Sequence, residues 1–133
     1  MKIGIIFCLS ILLLSSFVAD QNSDLEKSKA RGKEIYTDFC VTCHRANGEG
    51  TAKIFPPLAK SDYLKNQQTE SIYAIKYGQK GKITVNGTNY NGMMPAPGLD
   101  DEEVADVMNY INHSWGNDFG KMVTVEQVKA VKK

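Results

Sequence analysis

The hydrophobic pattern changes period several times along the chain. Residues 3–19 form a largely apolar run behind Lys2, and residues 20–27 are polar, predicting a linker or a frayed helix start. Ser28, Gly32, Ile35, Tyr36 and Phe39 then recur at helical spacing and predict a helix with one buried face. Gly32 is the odd member, since glycine inside a helix costs about 1 kcal/mol relative to alanine. A close crossing with a second helix would account for it. Further on, Ser61 is placed to cap a short turn through Leu64. Thr69 is placed to cap a helix carrying Ile72, Tyr73, Ile75, Lys76 and Tyr77, with Gly78 as its stop. Residues 83–90 read as two very short strands around Asn86-Gly87, a minor hairpin too small to build a core. Residues 91–98, rich in glycine and proline, predict a loop. Asp100 and Glu103 fit a capping box ahead of the apolar stripe Val104, Val107, Met108 and Ile111, the clearest helix of the chain. Val125, Val128 and Val131 suggest a short docked segment near the end.

The candidate chemistry lies at the end of the first predicted helix. Cys40, Val41, Thr42, Cys43 and His44 form a Cys-x-x-Cys-His motif, the signature of c-type haem attachment. Two thiols three residues apart on one turn can each add to a vinyl group of one porphyrin. The imidazole that follows is then held under the iron as a proximal ligand. A zinc site would require four ligands, yet outside the motif the chain offers only Cys8 and His113. A thioredoxin-like motif would sit in a βαβ pattern, which is absent from the sequence.

Two proline-containing stretches add to this reading. Phe55-Pro56-Pro57-Leu58 is stiff and rich in free carbonyls, because neither proline has a backbone N–H. A metal-bound histidine usually donates its second ring N–H to such an acceptor, and Pro56 is the candidate for His44. Asn91-Gly92-Met93-Met94-Pro95 holds two adjacent thioethers, which are soft ligands suited to haem iron. Met94 precedes a proline and is biased towards an extended backbone. Met93 and His113 are the other candidates for a sixth ligand.

Composition narrows the class. The chain has 133 residues and a formal charge of +1, enough for one small domain and without the basic excess expected of a nucleic-acid binder. Lys2 and the apolar run read as a secretory signal spanning residues 1–19, with an uncleaved membrane anchor through residues 3–19 as the alternative. Cys8 falls within that run, so cleavage would leave only Cys40 and Cys43 and no disulfide framework. Lys53, Lys60, Lys65, Lys76, Lys80 and Lys82 crowd the middle of the chain, whereas residues 100–118 hold six acids and no Lys or Arg. That asymmetry is either an ordinary solvated surface or a dipole that orients docking with a redox partner.

The ordered stretches CVTCH, FPPL, NGMMPAPG and LDDEEVADVMNYI resemble class I c-type cytochromes over residues 28–115. The resemblance implies an all-α class I cytochrome c fold: three to five helices around one covalently attached haem, with a minor short hairpin. Gly32, Tyr36 and Tyr110 fit the family's helix-crossing positions. The family's axial methionine lies just before a proline, which selects Met94. Cys40, Cys43, His44, Pro56, Leu58 and Met94 are then the expected haem contacts, with His44 and Met94 on the iron. Residues 114–117 and 123–128 are similar to a narrower group: cytochrome domains of copper nitrite reductases, haem–copper oxidase subunits and periplasmic dehydrogenase subunits. The expected function is exported electron carriage between transient redox partners, with a haem subunit of a larger enzyme complex as the alternative. Residues 116–133 would form a C-terminal extension. Other readings remain open: a haem protein with a vacant sixth position, or a zinc-binding interaction module.

Overall fold

The computed structural model describes residues 22–133. The expected signal or anchor, Cys8 and the first two residues of the expected linker lie outside them. Among the described residues no helix is long and apolar enough to cross a membrane.

A helix, α1, occupies residues 22–39, followed by the single turn α2 (Val41–His44). The short α3 (Asp62–Asn66) leads into α4 (Gln68–Tyr77). A hairpin of β1 (Gln79–Val85) and β2 (Thr88–Met94) follows. The chain then runs through α5 (Asp101–Asn112) to α6 (Val125–Ala130). Among the described residues the helical segments thus exceed the three to five expected, because α2 and α6 are separate short turns. Residues 22–27, expected as a linker or a frayed helix start, are helical. Lys27–Asp24 and Lys29–Glu26 pair three residues apart along this first stretch and favour helix over coil.

The core forms where α1 crosses α5. A Cβ on Gly32 would overlap the Asp106 carbonyl and meet Tyr110 Cβ at 2.9 Å, so the missing side chain is what lets the two backbones approach. One turn further along, the rings of Tyr36 and Tyr110 lie 5.4 Å apart. Val104, Val107, Met108 and Ile111 are all buried, as their spacing predicts. Asp100 accepts from the amides of Glu102 and Glu103, and Glu103 closes the capping box. Beside these apolar groups runs a buried polar chain. Asp106 takes Ser28 Oγ at 2.6 Å and Arg31 Nε at 2.6 Å, and Asn109 joins Ser28 to the backbone of Val123.

Several expectations are corrected. Thr69 does not cap α4 but lies within it: the cap position is two residues earlier, at Gln67, and makes no side-chain cap bond. Gly78 does end it, at φ 87°. Each strand of the hairpin is seven residues long, and β2 absorbs Asn91 to Met94, which the glycine–proline content predicts as loop. Pairing overrides composition here, with Gln79 opposite Met94 and Ile83 opposite Tyr90. At the turn, Asn86 and Gly87 both take positive φ, the requirement of a tight two-residue hairpin. Phe39 is 54% exposed although it falls on the periodic face of α1. The terminal segment docks as expected: Val123 and Val128 are buried in the core, and Thr124 and Gln127 form a second capping box. Lys76 is not a surface charge. Its ammonium donates to the carbonyls of Val128 and Val131 and lies 2.8 Å from Asp101.

Candidate haem site

One predominantly apolar cavity, of about 220 Å³, collects the sequence-predicted residues. Cys40, Cys43 and His44 reach it from the end of α1 and from α2, Pro56 and Leu58 from the following loop, and Met94 from the end of β2. Val107 and Ile111 of α5 and Ile75 of α4 supply further apolar wall.

His44 is 9% exposed and its Nδ1 lies 3.0 Å from the Pro56 carbonyl oxygen. A carbonyl only accepts, so Nδ1 carries the proton and, in the neutral ring, Nε2 keeps its lone pair. Burial pushes the His44 pKa down, opposed by the bond to Pro56, and favours this neutral form. The two cysteines are free and half-buried. Burial, with Cys43 nearby, pushes the Cys40 thiol up to about 11. It is therefore a thiol, not a thiolate, at neutral pH.

The backbone explains why these groups meet. The amide of His44 bonds to the Cys40 carbonyl at 2.9 Å, so the motif is wound into one turn. Tyr36 donates its hydroxyl to the Arg45 carbonyl at 2.6 Å and fixes the end of that turn. Gly50 receives the loop: a Cβ there would run into the carbonyls of Phe55 and Pro56. On β2 the alternation of side chains separates the methionines. Met93 is 74% exposed, while Met94 is partly buried against the core.

His113 does not line the cavity. Its Nδ1 lies 3.0 Å from the Asn109 carbonyl and its Nε2 3.2 Å from that of Gly120. Among the described residues no three His, Cys, Asp or Glu side chains converge as a metal cluster, so the cysteine pair lacks the extra ligands a zinc site requires. The hairpin's contribution escapes the sequence reading. Ile83, Val85 and Tyr90 line the cavity, and the period-two spacing of Ile83 and Val85 is the signal that carries it. Trp115 and Asn117 also have unforeseen roles. The Trp115 indole N–H donates to the Ala46 carbonyl at 3.0 Å, and Asn117 is buried against the loop that holds Pro56. Neither leaves a periodic trace in the sequence.

The donor set and its surroundings fit a haem: two thiols and an imidazole from one turn, a thioether from a distant strand, and apolar walls between them. Comparison with known proteins agrees. The Cytochrome c family model matches residues 29–115. Cytochrome c-552 of Thermus thermophilus is 37% identical over 117 residues, covering 81% of this chain and 78% of that protein. The cytochrome c subunit of a quinone alcohol dehydrogenase from Gluconacetobacter polyoxogenes is 31% identical, covering 73% of this chain but 21% of that protein. The cbb3-type oxidase subunit FixP of Bradyrhizobium diazoefficiens is 31% identical, covering 71% and 34%. The family match runs through the α1–α5 crossing, the cysteine pair and the methionine strand alike, and the chain belongs to the cytochrome c family, whose members bind haem and carry electrons.

Proposed function

We propose that this chain is an exported monohaem cytochrome c that passes single electrons between redox proteins. Its porphyrin is joined to Cys40 and Cys43, and its iron is held by His44 and Met94. The reading rests on one observation: the cysteine pair, a buried neutral His44 and Met94 all line the same apolar cavity. Bound haem supplies a one-electron iron couple. The chain supplies the surroundings that tune it. Pro56 fixes the His44 ring through Nδ1, and the apolar walls would keep water from a bound iron. A thioether as second axial ligand raises the potential relative to stronger donors. With His44 and Met94 both on the iron, the chain would leave the metal no open position for a substrate.

The exposed apolar side chains Phe39, Ile54 and Met93 all border this cavity. Lys53 neighbours Ile54 in sequence, and Lys80 pairs with Met93 across the hairpin. An apolar rim with cations beside it suits brief contact with an acidic redox partner, and such contacts often bury less than about 1,200 Å².

The test is expression with export and haem-attachment machinery. Haem should stay with the chain in acidified organic solvent, and the oxidised protein should show the weak far-red sulfur-to-iron band. Complete release of haem into the solvent defeats the attachment reading. Absence of the band with free binding of carbon monoxide defeats the axial methionine.

A second reading makes the chain a haem subunit of a larger enzyme. It is favoured by the likeness to dehydrogenase and oxidase cytochrome subunits. Stable co-purification with a dehydrogenase or reductase from the native source would select it.

A further inference from the structure

The turn after α5 grips the chain on the His44 side of the cavity. Asn117 is buried, and its side chain makes three bonds to backbone. It accepts from the Lys60 amide at 2.7 Å and donates to the carbonyls of Leu58 at 3.0 Å and Ile111 at 2.8 Å. The same loop is held from the other side, because the amides of Leu58 and Ala59 both bond to the Gly48 carbonyl. Gly48 in turn sits against Trp115, whose ring a Cβ at Gly48 would strike. Residues 58–60 are thus clasped between Gly48 and Asn117. Pro56, two residues ahead of that clasped stretch, carries the carbonyl that holds His44.

We propose that Asn117 is a positioning residue for His44, setting the bond from Nδ1 to Pro56 through its grip on Leu58 and Lys60. This rests on the reading of His44 as the proximal haem ligand. A group bonded to the far nitrogen of a ligating imidazole sets both ring orientation and donor strength. Two of the Asn117 bonds reach the loop, at Leu58 and Lys60, and the third anchors the side chain to Ile111 of α5, so one buried side chain ties the stretch after Pro56-Pro57 to that helix. When the loop relaxes, the bond from His44 lengthens. The imidazole then donates less electron density, and the oxidised state loses stabilisation.

The experiment compares the haem-loaded wild type with Asn117→Ala, Asn117→Asp and Asn112→Ala. Asn117→Asp keeps the shape and the acceptor for Lys60, but it turns a second oxygen on two carbonyls. Asn112 is also buried, at the end of α5, and bonds to the Gln68 side chain, so its loss measures general destabilisation without touching the Pro56 loop. Solvent exchange of the His44 ring N–H is followed by nuclear magnetic resonance in the reduced protein, alongside the midpoint potential. Both Asn117 variants should speed that exchange roughly tenfold or more and raise the potential. Asn112→Ala should lower thermal stability while leaving both signals near wild type. Should Asn117→Ala fail to fold, the isosteric Asn117→Asp decides. Unchanged exchange and potential in a folded Asn117 variant, or equal changes in Asn112→Ala, overturn the positioning role. A wild type that carries no haem overturns the underlying reading instead.

Discussion

Met93 and Met94 stand on opposite faces of β2: Met93 pairs with Lys80 and is 74% exposed, whereas Met94 pairs with Gln79 and is partly buried against the core. Adjacent residues of identical chemistry therefore meet different surroundings because of strand geometry alone.

That separation gives a sharp expectation. Met94→Ala should abolish the far-red band, open the iron to carbon monoxide and lower the midpoint potential. Met93→Ala should keep the band and change stability by no more than about 0.5 kcal/mol, as for most exposed positions. Absorption spectra of the two oxidised variants decide it. Loss of the band in Met93→Ala alone would move the ligand by one residue.

Gly32 offers a test of the helix crossing. A Cβ there would collide with backbone at Asp106, which cannot move aside like a flexible side chain. Gly32→Ala should therefore cost about 3 kcal/mol, the upper part of the usual overpacking range, although alanine is the better helix former. The denaturation midpoint reads it directly. A neutral or stabilising result would mean that α1 and α5 are further apart than described.

The ion pair of Lys76 and Asp101 predicts a pH response. The Lys76 ammonium bonded to Asp101 holds the Asp101 pKa below its ordinary 3.8, and the same bond holds that of Lys76 above its ordinary 10.5. In the unfolded chain Asp101 takes up its proton sooner on acidification. Its contribution is therefore present above 3.8 and is lost as pH falls through the depressed folded value. Lys76 contributes fully below 10.5 and loses that contribution as pH rises through its raised folded value. Lys76→Met should thus be destabilised most at neutral pH and approach the wild type at both extremes. Unfolding curves across that range check it, and a gap independent of pH would remove the ion pair as the cause.

Lys76 is tied to Val128, Val131 and Asp101, so the proposed docking with an acidic partner would draw on the exposed lysines instead. Neutralising Lys53, Lys80 and Lys82 together should slow electron exchange with an acidic partner and flatten its salt dependence. Screening over about 10 Å at 0.1 M salt acts on such surface charges. Lys76→Met should leave the salt slope as it is. Stopped-flow rates against ionic strength separate the two, and an unaltered slope in the triple variant would return these lysines to ordinary solvated surface.

Local rules that act within one element were legible in the sequence. The Asp100–Glu103 box and the stripe through Ile111 needed only spacing, and Gly32 announced a crossing because nothing local favoured a glycine there. The features that needed a partner element were not legible. β2 extends through Met94 because β1 offers it a ladder, and no propensity within residues 91–94 signals that. Lys76 counts as one more positive charge until the terminal segment folds over it. Asn117 is a single polar residue in a turn, and its three backbone partners come from two separate segments of the chain. Within the cavity the motif residues were found by chemistry. The inner face of the hairpin lines the cavity although the short strands signal no core of their own.

The hairpin has a consequence for how such a protein can diverge. Positions 80, 82, 84, 89 and 91 are exposed and do not line the cavity, while Ile83, Val85, Tyr90 and Met94 turn inward. Mutation at the first set rewrites what an approaching protein meets, and the second set remains untouched. A lineage can therefore exchange one partner for another on this ribbon without retuning its redox centre, and a protein engineer can retarget the molecule by the same route.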